Sequence, residues 1–331
     1  PKIKDQRMAK TIKWGIAGLG NIARKFAGDL KGVAQAELIG VASTSRDRAK
    51  AFQKEFDGQK AYDKYEDLYR DPEIEVIYIA SLNQNHKAMT MAALKAGKGV
   101  LCEKPLGLNT KEIKAMVALA KKQNCFLMEA LWSRFNPAIQ KAKQWIEEGH
   151  IGEPKFLYAE FSFYRLNIDS SHRLLDPKKG GGVLLDLGVY PLFLAYLILG
   201  RPKNIVAQSI LGSTGVDVQT SMILQYENAQ AVLYSGIANE SDNHARVGGT
   251  EGEILLHGFW HNAQKVELKK IGATTQEDFP SEGNGYVPQI KEVNRCIAAG
   301  KKESELWSHQ DALELGQMVE QVFEKIKEKK S

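Results

Sequence analysis

Residues 12–23 read Ile-Lys-Trp-Gly-Ile-Ala-Gly-Leu-Gly-Asn-Ile-Ala, and the fold follows from them. Ile12 to Ala17 is a short apolar run of strand length. Asn21 to Leu30 carries apolar residues at helical spacing. Gly18, Gly20 and Ala23 lie at the junction. Gly18 permits a tight turn, Gly20 lets backbone approach a ligand, and Ala23 is small enough for helix and strand to pack closely. A helix opening behind such a turn presents free N–H groups, here at Asn21 and Ile22, to an anion. Glycine suits any tight strand–helix turn. The strand–turn–helix context makes this G-x-G-x-x-A pattern a dinucleotide fingerprint.

Outward from that stretch, strand and helix signals alternate. Glu37 to Ala42, Glu75 to Ala80, Gly99 to Cys102 and Cys125 to Glu129 read as strands. Asp47 to Phe56, Asn85 to Ala96 and Thr110 to Gln123 read as helices, the last capped by Thr110. Apolar strands alternating with helices predict a parallel, doubly wound Rossmann sheet in an α/β fold. After residue 150 the rhythm changes. Lys155 to Phe163 is a long strand, followed by a polar loop and a helix over Gly182 to Leu199. Six strand-like segments then follow between Asn204 and Lys269, joined by turns such as Glu227-Asn228 and Gly248-Gly249. This pattern predicts a C-terminal α+β domain with a large, open, mostly antiparallel sheet. Two helices, Tyr286 to Ala299 and His309 to Lys327, close the chain. The domains expected are a dinucleotide-binding unit over 8–130 and a substrate and dimerisation unit over 131–331.

The 331 residues, 43% hydrophobic and 26% charged, suit an ordinary globular protein of two domains and exclude a disordered tail or a disulfide-stapled miniprotein. The net charge of +5 is concentrated at the ends, with +4 in residues 1–13 and +2 in residues 324–331. The intervening 310 residues carry −1. A nucleic-acid footprint needs clustered bases on the body of the fold, so no nucleic-acid partner is expected. Cys102, Cys125 and Cys296 form no CxxC pair, which suggests free thiols in a reducing cytoplasm and no metal site. The first residues lack the apolar segment of a secretory signal, and Met8 is a candidate start. The longest apolar run, Val183 to Leu199, contains Asp186 and is expected to be a buried amphipathic helix, with no membrane association.

The end of the second strand bears on the cofactor. An acid there would bind the ribose 2′-OH of NAD. Here the sequence is Ser43-Thr44-Ser45-Arg46, whose hydroxyls and guanidinium suit a 2′-phosphate and favour NADP over NAD. Glu103-Lys104-Pro105 follows the Gly99 to Cys102 strand directly. Ligands lie at the carboxyl ends of such strands, so Lys104 is expected to project towards the nicotinamide. Pro105 restricts Lys104 to extended conformations and admits a cis bond.

These pieces together resemble the Gfo/Idh/MocA oxidoreductase family over essentially the whole chain. The resemblance rests on Gly18 to Ala23, on Ser81-Leu82-Asn83 with His86, on Ala96 to Gly99 leading to Glu103-Lys104-Pro105, and on Gly180-Gly181-Gly182 leading to Asp186 and Tyr190. The stretch Leu127 to Phe135 is most similar to dimeric dihydrodiol dehydrogenases and NADP-dependent xylose dehydrogenases. The resemblance implies hydride transfer between a secondary alcohol and nicotinamide C4. The substrate implied is a sugar, cyclic polyol or dihydrodiol. Lys104 would contact the nicotinamide ribose and the substrate hydroxyl. Tyr190 would be the general acid–base, its ordinary pKa of about 10 drawn down by Lys104. Asp186, four residues earlier, shares its helix face and would orient Lys104 or bind a hydroxyl. Gly18, Gly20, Asn21, Ile22, Ser43, Thr44, Arg46, Ser81, Leu82, Asn83, His86, Glu103, Lys104, Trp132 and Arg134 form the expected cofactor set. His86 is expected to open its helix without a catalytic role. Phe163, His172 and Arg173 are the candidate substrate contacts. Relatives in this branch often have Arg where this chain has Thr44, which leaves Arg46 to substitute.

Two other functions fit the same fold: a non-catalytic NAD(P)-sensing regulator, and a sugar–sugar oxidoreductase with tightly bound cofactor. The presence of both Lys104 and Tyr190 argues against the first. The sheet, with helices on one face only, predicts a homodimer or higher homo-oligomer.

Overall fold

A computed structural model describes residues 10–328. Its first sheet comprises β1 (Ile12–Ala17), β2 (Ala36–Ala42), β3 (Lys60–Tyr62), β4 (Val76–Ile79), β5 (Gly99–Glu103) and β6 (Leu127–Ala130). All pairs are parallel, in the order β3-β2-β1-β4-β5-β6. The helices between them are α1 (Asn21–Lys31), α2 (Arg46–Glu55), α3 (Tyr65–Arg70), α4 (His86–Lys95) and α5 (Thr110–Gln123). The strands are near-continuous apolar runs because helices cover both faces, and β4 and β5 are buried throughout. Strand order reverses between β1 and β4. The crevice beyond their carboxyl ends is where such sheets bind ligands.

After α6 (Pro137–Glu147) comes the second sheet, made of β7 (Pro154–Ser162), β8 (Asn204–Leu211), β9 (Asp217–Gln225), β10 (Gln230–Gly236), β11 (Ala245–Gly249), β12 (Glu253–Leu256), β13 (Lys265–Lys270) and β14 (Ala273–Asp278). The order is β14-β13-β12-β11-β7-β10-β9-β8. Only β7 with β10 is parallel, so the sheet is mixed and mostly antiparallel. Its strands alternate: Ile205, Ala207, Met222 and Leu224 turn to the core while Val206, Ile210 and Ile223 stay exposed. Between β7 and β8 runs α7 (Val189–Leu199), and α8 (Val287–Ala298) and α9 (His309–Glu328) end the described chain.

The last helices return to the first sheet. Trp14 donates its indole N–H to Asn294 of α8 at 3.0 Å, and buried Asp29 of α1 accepts from the backbone N–H groups of Asn284 and Tyr286. Glu320 of α9 accepts from Thr110 at the start of α5 through both backbone N–H and hydroxyl.

Several local expectations need correction. β3, α3 and β14 are absent from the expected elements, and α5 is capped by Asn109, whose side chain accepts from Glu112 N–H at 2.9 Å, in place of Thr110. β3 is three residues long, and β14 is a largely exposed edge strand without apolar alternation. Gly248 and Gly249 belong to β11; the turn falls beyond them, closed by Gly249 N–H donating to Gly252 O at 2.8 Å. The expected amphipathic helix from Gly182 is a π-helical turn, Leu184–Gly188, followed by α7. α7 is apolar on every side and packs against β7 and β10 of the second sheet and against α9. The stretch Pro177–Leu199 is long and apolar enough to cross a membrane, but 72% of its most apolar window is buried inside this fold. The candidate start at Met8 lies outside the described residues.

Candidate active site

Lys104 follows β5 and is joined to Pro105 by a cis peptide bond. Its side chain is nearly buried. The ammonium donates to the backbone oxygen of Asp186 at 2.6 Å and lies 3.5 Å from the Asp186 carboxylate. It also sits 4.9 Å from the Tyr190 ring centroid. Asp186 is held from the other side by Arg173, whose two terminal nitrogens donate to its two oxygens at 3.1 and 3.3 Å. Tyr190 is 5% exposed, and its oxygen accepts from the Trp132 indole at 2.8 Å. That bond uses an oxygen lone pair and leaves the phenolic proton free for another acceptor. The π-turn places Asp186 and Tyr190 on the same side, facing Lys104.

The charges reinforce one another. Burial works against the Lys104 ammonium, but Tyr190, Asp186 and Glu103 outweigh it and hold its pKa above the ordinary lysine value. Burial likewise opposes ionised Asp186, yet Lys104 and Arg173 keep its pKa below the usual carboxylate value. The expectation for Tyr190 is reversed. Burial raises its pKa, outweighing the pull of Lys104 and the Trp132 hydrogen bond. The phenol therefore stays protonated through neutral pH.

A supporting layer fixes these groups. Buried Glu103 accepts from Tyr78 at 2.5 Å and from the Lys104 backbone N–H at 3.2 Å. Glu129 accepts from Leu106 N–H at 2.8 Å and from Trp307 at 3.0 Å, and burial pushes its pKa up to about 7. His86 opens α4, as expected, with its ring nitrogens against the carbonyls of Pro105 and Ser81. Asp217 accepts from Leu184 N–H and from the Thr220 hydroxyl, both at 2.8 Å, pinning the start of the π-turn. A side chain at Gly182, where φ is +108°, would run into the Asp217 carboxylate.

Of the expected cofactor residues, those from Gly18 to Ile22 and from Ser81 to Asn83 follow β1 and β4, the strands between which the order reverses. Gly18 has φ +91°, and a Cβ there would stand 2.7 Å from the Ala80 carbonyl oxygen. A Cβ on Gly20 would meet nothing within 4 Å, so space is open before α1. The first turn of α1 contains no acid. A dinucleotide pyrophosphate fits this cradle, with its charge on the N–H groups of Asn21 and Ile22. Ser81 and Leu82 lead from β4 into the turn before α4, and Asn83 donates to Gly180 O at 3.4 Å. At the end of β2, Ser43 is buried and Thr44 exposed, and Ser45 caps α2 by accepting from Arg48 N–H. Arg46 is 69% exposed and pairs with Asp63 at 3.3 Å.

Other candidates lie further out. Arg134 is buried with one terminal nitrogen unpartnered; burial lowers its pKa, and the charges it feels are those of Asp311, Glu147 and Glu292 rather than Lys104. His172 uses its Nδ1 to accept from Leu174 N–H. Phe163 is one step removed: the ring 5.3 Å from Tyr190 is Phe161, with Phe163 6.1 Å beyond it. Sequence reading missed Phe161, Asp217, Tyr286 and His261. They come from strands and loops far apart in the chain, and only the aromatic pair Trp260-His261 in a short loop offered a local signal.

A dinucleotide cradle facing a Lys–Asp–Tyr cluster across the mouth of a Rossmann sheet defines a nicotinamide-dependent oxidoreductase. Residues 12–131 match the oxidoreductase family with NAD-binding Rossmann fold, and residues 139–255 match the GFO/IDH/MocA C-terminal domain. The chain is 36% identical to mouse (Mus musculus) trans-1,2-dihydrobenzene-1,2-diol dehydrogenase, covering 88% of this chain and 90% of that protein. It is 33% identical to the human (Homo sapiens) enzyme of the same name, covering 95% and 97%. A 3-ketoreductase from Actinomadura kijaniata, solved with NADP and TDP-benzene, superposes with a TM-score of 0.86 at 25% identity, covering 96% and 98%. The chain belongs to the Gfo/Idh/MocA family of oxidoreductases. It is an NAD(P)-dependent dehydrogenase acting on hydroxyl groups.

Proposed function

We propose that this enzyme oxidises and reduces a secondary alcohol carbon of a sugar, cyclic polyol or dihydrodiol, with Lys104 and Tyr190 handling the proton. The observation that carries the reading is the Lys104 ammonium held between Asp186 and Tyr190, whose own hydroxyl proton is uncommitted. The bound nicotinamide supplies the hydride acceptor or donor at C4. Tyr190 gives its proton to the substrate oxygen during reduction and recovers it during oxidation. Lys104 stabilises the negative charge that develops on that oxygen. Asp186, clamped by Arg173, orients Lys104. Arg173 closes this side of the site, and Phe163 and His172 flank the substrate entrance.

Gly18, Gly20, Asn21 and Ile22 are proposed to hold the pyrophosphate, and Ser81, Leu82, Asn83, His86, Glu103 and Trp132 the nicotinamide half. Arg134 is proposed to flank the cofactor beside Trp132. NADP is the proposed cofactor. The end of β2 offers hydroxyls and no acid, and an exposed pair such as Arg46–Asp63 contributes only about 0–1 kcal/mol, so a 2′-phosphate competes for Arg46. The proposed division is a cofactor unit over 8–130 and a substrate unit over 131–331. A second copy of the chain is proposed to cover the outer face of the eight-stranded sheet. A cytoplasmic location accords with three free, buried cysteines.

The test is a panel of aldoses, inositols and dihydrodiols with NADP and NAD, followed by absorbance of the reduced nicotinamide. The expected outcome is turnover of at least one class, faster at low cofactor concentration with NADP. Failure of every secondary alcohol with both cofactors would contradict the reading.

A further inference from the structure

His261 stands in the loop between β12 and β13, in the short 3₁₀ turn Trp260–Asn262. Its backbone is fixed, because Ser133 donates its hydroxyl to the His261 carbonyl at 2.7 Å. Its ring lies among aromatic faces: stacked on Phe161 at 4.2 Å, tilted to Tyr190 at 5.3 Å, and edge-on to Trp132 at 5.6 Å. In that company a phenyl ring would pack equally well. The imidazole adds only its nitrogens, and the protein does not use them. Nδ1 is buried without a hydrogen-bond partner, and no other hydrogen bond reaches the ring among the described residues. Buried polar groups are nearly always paired, and Nδ1 is an exception; Nε2, unpartnered and not enclosed, is the nitrogen left for a ligand.

The surroundings indicate the ligand. His261 lines a cavity of about 390 Å³ with Trp132, Phe259, Asn262, Asn284, Tyr286 and the ammonium-bearing Lys25. Two of its walls, Trp132 and His261, are in contact with Tyr190, which itself lies outside the lining. Its walls combine aromatic faces with amide groups, the mixture that suits a carbohydrate ring: apolar C–H faces on aromatics, hydroxyls on amides and imidazole. The imidazole is neutral at working pH, since burial and the nearby Lys104 charge push its pKa down to about 3. A neutral ring donates at one nitrogen and accepts at the other, as a hydroxyl does. No acid faces the ring; the charged group it feels is Lys104.

We infer that His261 is a specificity-determining residue that hydrogen-bonds a hydroxyl of the substrate remote from the reacting carbon, selecting hydroxyl-rich over hydroxyl-poor alcohols. This rests on the reading of Lys104 and Tyr190 as the reacting pair.

The test uses full-length enzyme saturated with NADP. His261→Phe keeps the aromatic stack and removes the nitrogens; His261→Gln keeps a donor and an acceptor. Binding of xylose and myo-inositol is measured by calorimetry, and KM and kcat are measured for these and for a cyclohexanediol. For His261→Phe, the expected result is polyol affinity weakened about tenfold, KM for the polyols raised in step, kcat within about twofold, and unchanged cyclohexanediol KM and NADP affinity. His261→Gln should recover part of the polyol affinity. Polyol binding by His261→Phe equal to wild type, or an equal loss for the cyclohexanediol, would overturn the inference, as would absence of polyol binding by the wild type. Turnover of the cyclohexanediol in that last case would leave the Lys104–Tyr190 reading standing; no turnover of any alcohol would remove it.

Discussion

Tyr190 is the residue on which chemistry and electrostatics meet. Its pKa is raised because burial outweighs the attraction of Lys104. The acid form therefore predominates at neutral pH, and the base form grows as pH rises. Oxidation needs the base form, so kcat/KM for alcohol oxidation should climb with pH through the alkaline range, while Lys104 and Asp186 keep their charges. Tyr190→Phe should lose about 10²-fold or more and flatten the profile. A wild-type profile in that variant would move the proton elsewhere. Lys104 and Tyr190 were legible because each sits in a contiguous motif. The pKa direction was not, because burial is set by Trp132, Phe161 and His261, which arrive from three other parts of the chain.

At the scale of elements, the π-turn Leu184–Gly188 delivers Asp186 towards Lys104. Its composition, Leu-Leu-Asp-Leu-Gly, does not distinguish π from α geometry. The hydrogen bond from Leu184 N–H to Asp217 anchors the start of the turn, and that contact spans 33 residues. Asp217→Ala leaves the Leu184 N–H unpaired in the core, so stability should fall by about 1–3 kcal/mol, with kcat reduced through the displaced Asp186. Thermal unfolding and steady-state kinetics on the same preparation check this. Unchanged melting and unchanged kcat would show that the turn holds without Asp217. The strands of the first sheet were readable since each is an uninterrupted apolar run. β3 and β14 were not: one is too short to show a period, the other too exposed to need one.

At the scale of the whole molecule, the chain ties its two sheets together by returning α8 and α9 to the first. The outer face of the second sheet carries a cross-strand row, Val206, Ile223, Val232, Tyr158, Arg246 and Leu255. The apolar members of such a row favour burial against a matching row related by a two-fold axis. Sedimentation should give a dimer for the wild type and a monomer for Ile223→Arg; a monomeric wild type would remove the proposed second copy. The positive surplus noted in the sequence has no part in this, since the body of the chain is close to neutral. The charge that matters is one ammonium, Lys104, held by Asp186 beside Tyr190. The most direct measurement is kcat of Lys104→Ala alongside its cofactor dissociation constant. The account predicts that kcat falls by about 10²-fold or more while cofactor affinity stays within a few-fold of wild type; near-full kcat in that variant would contradict it.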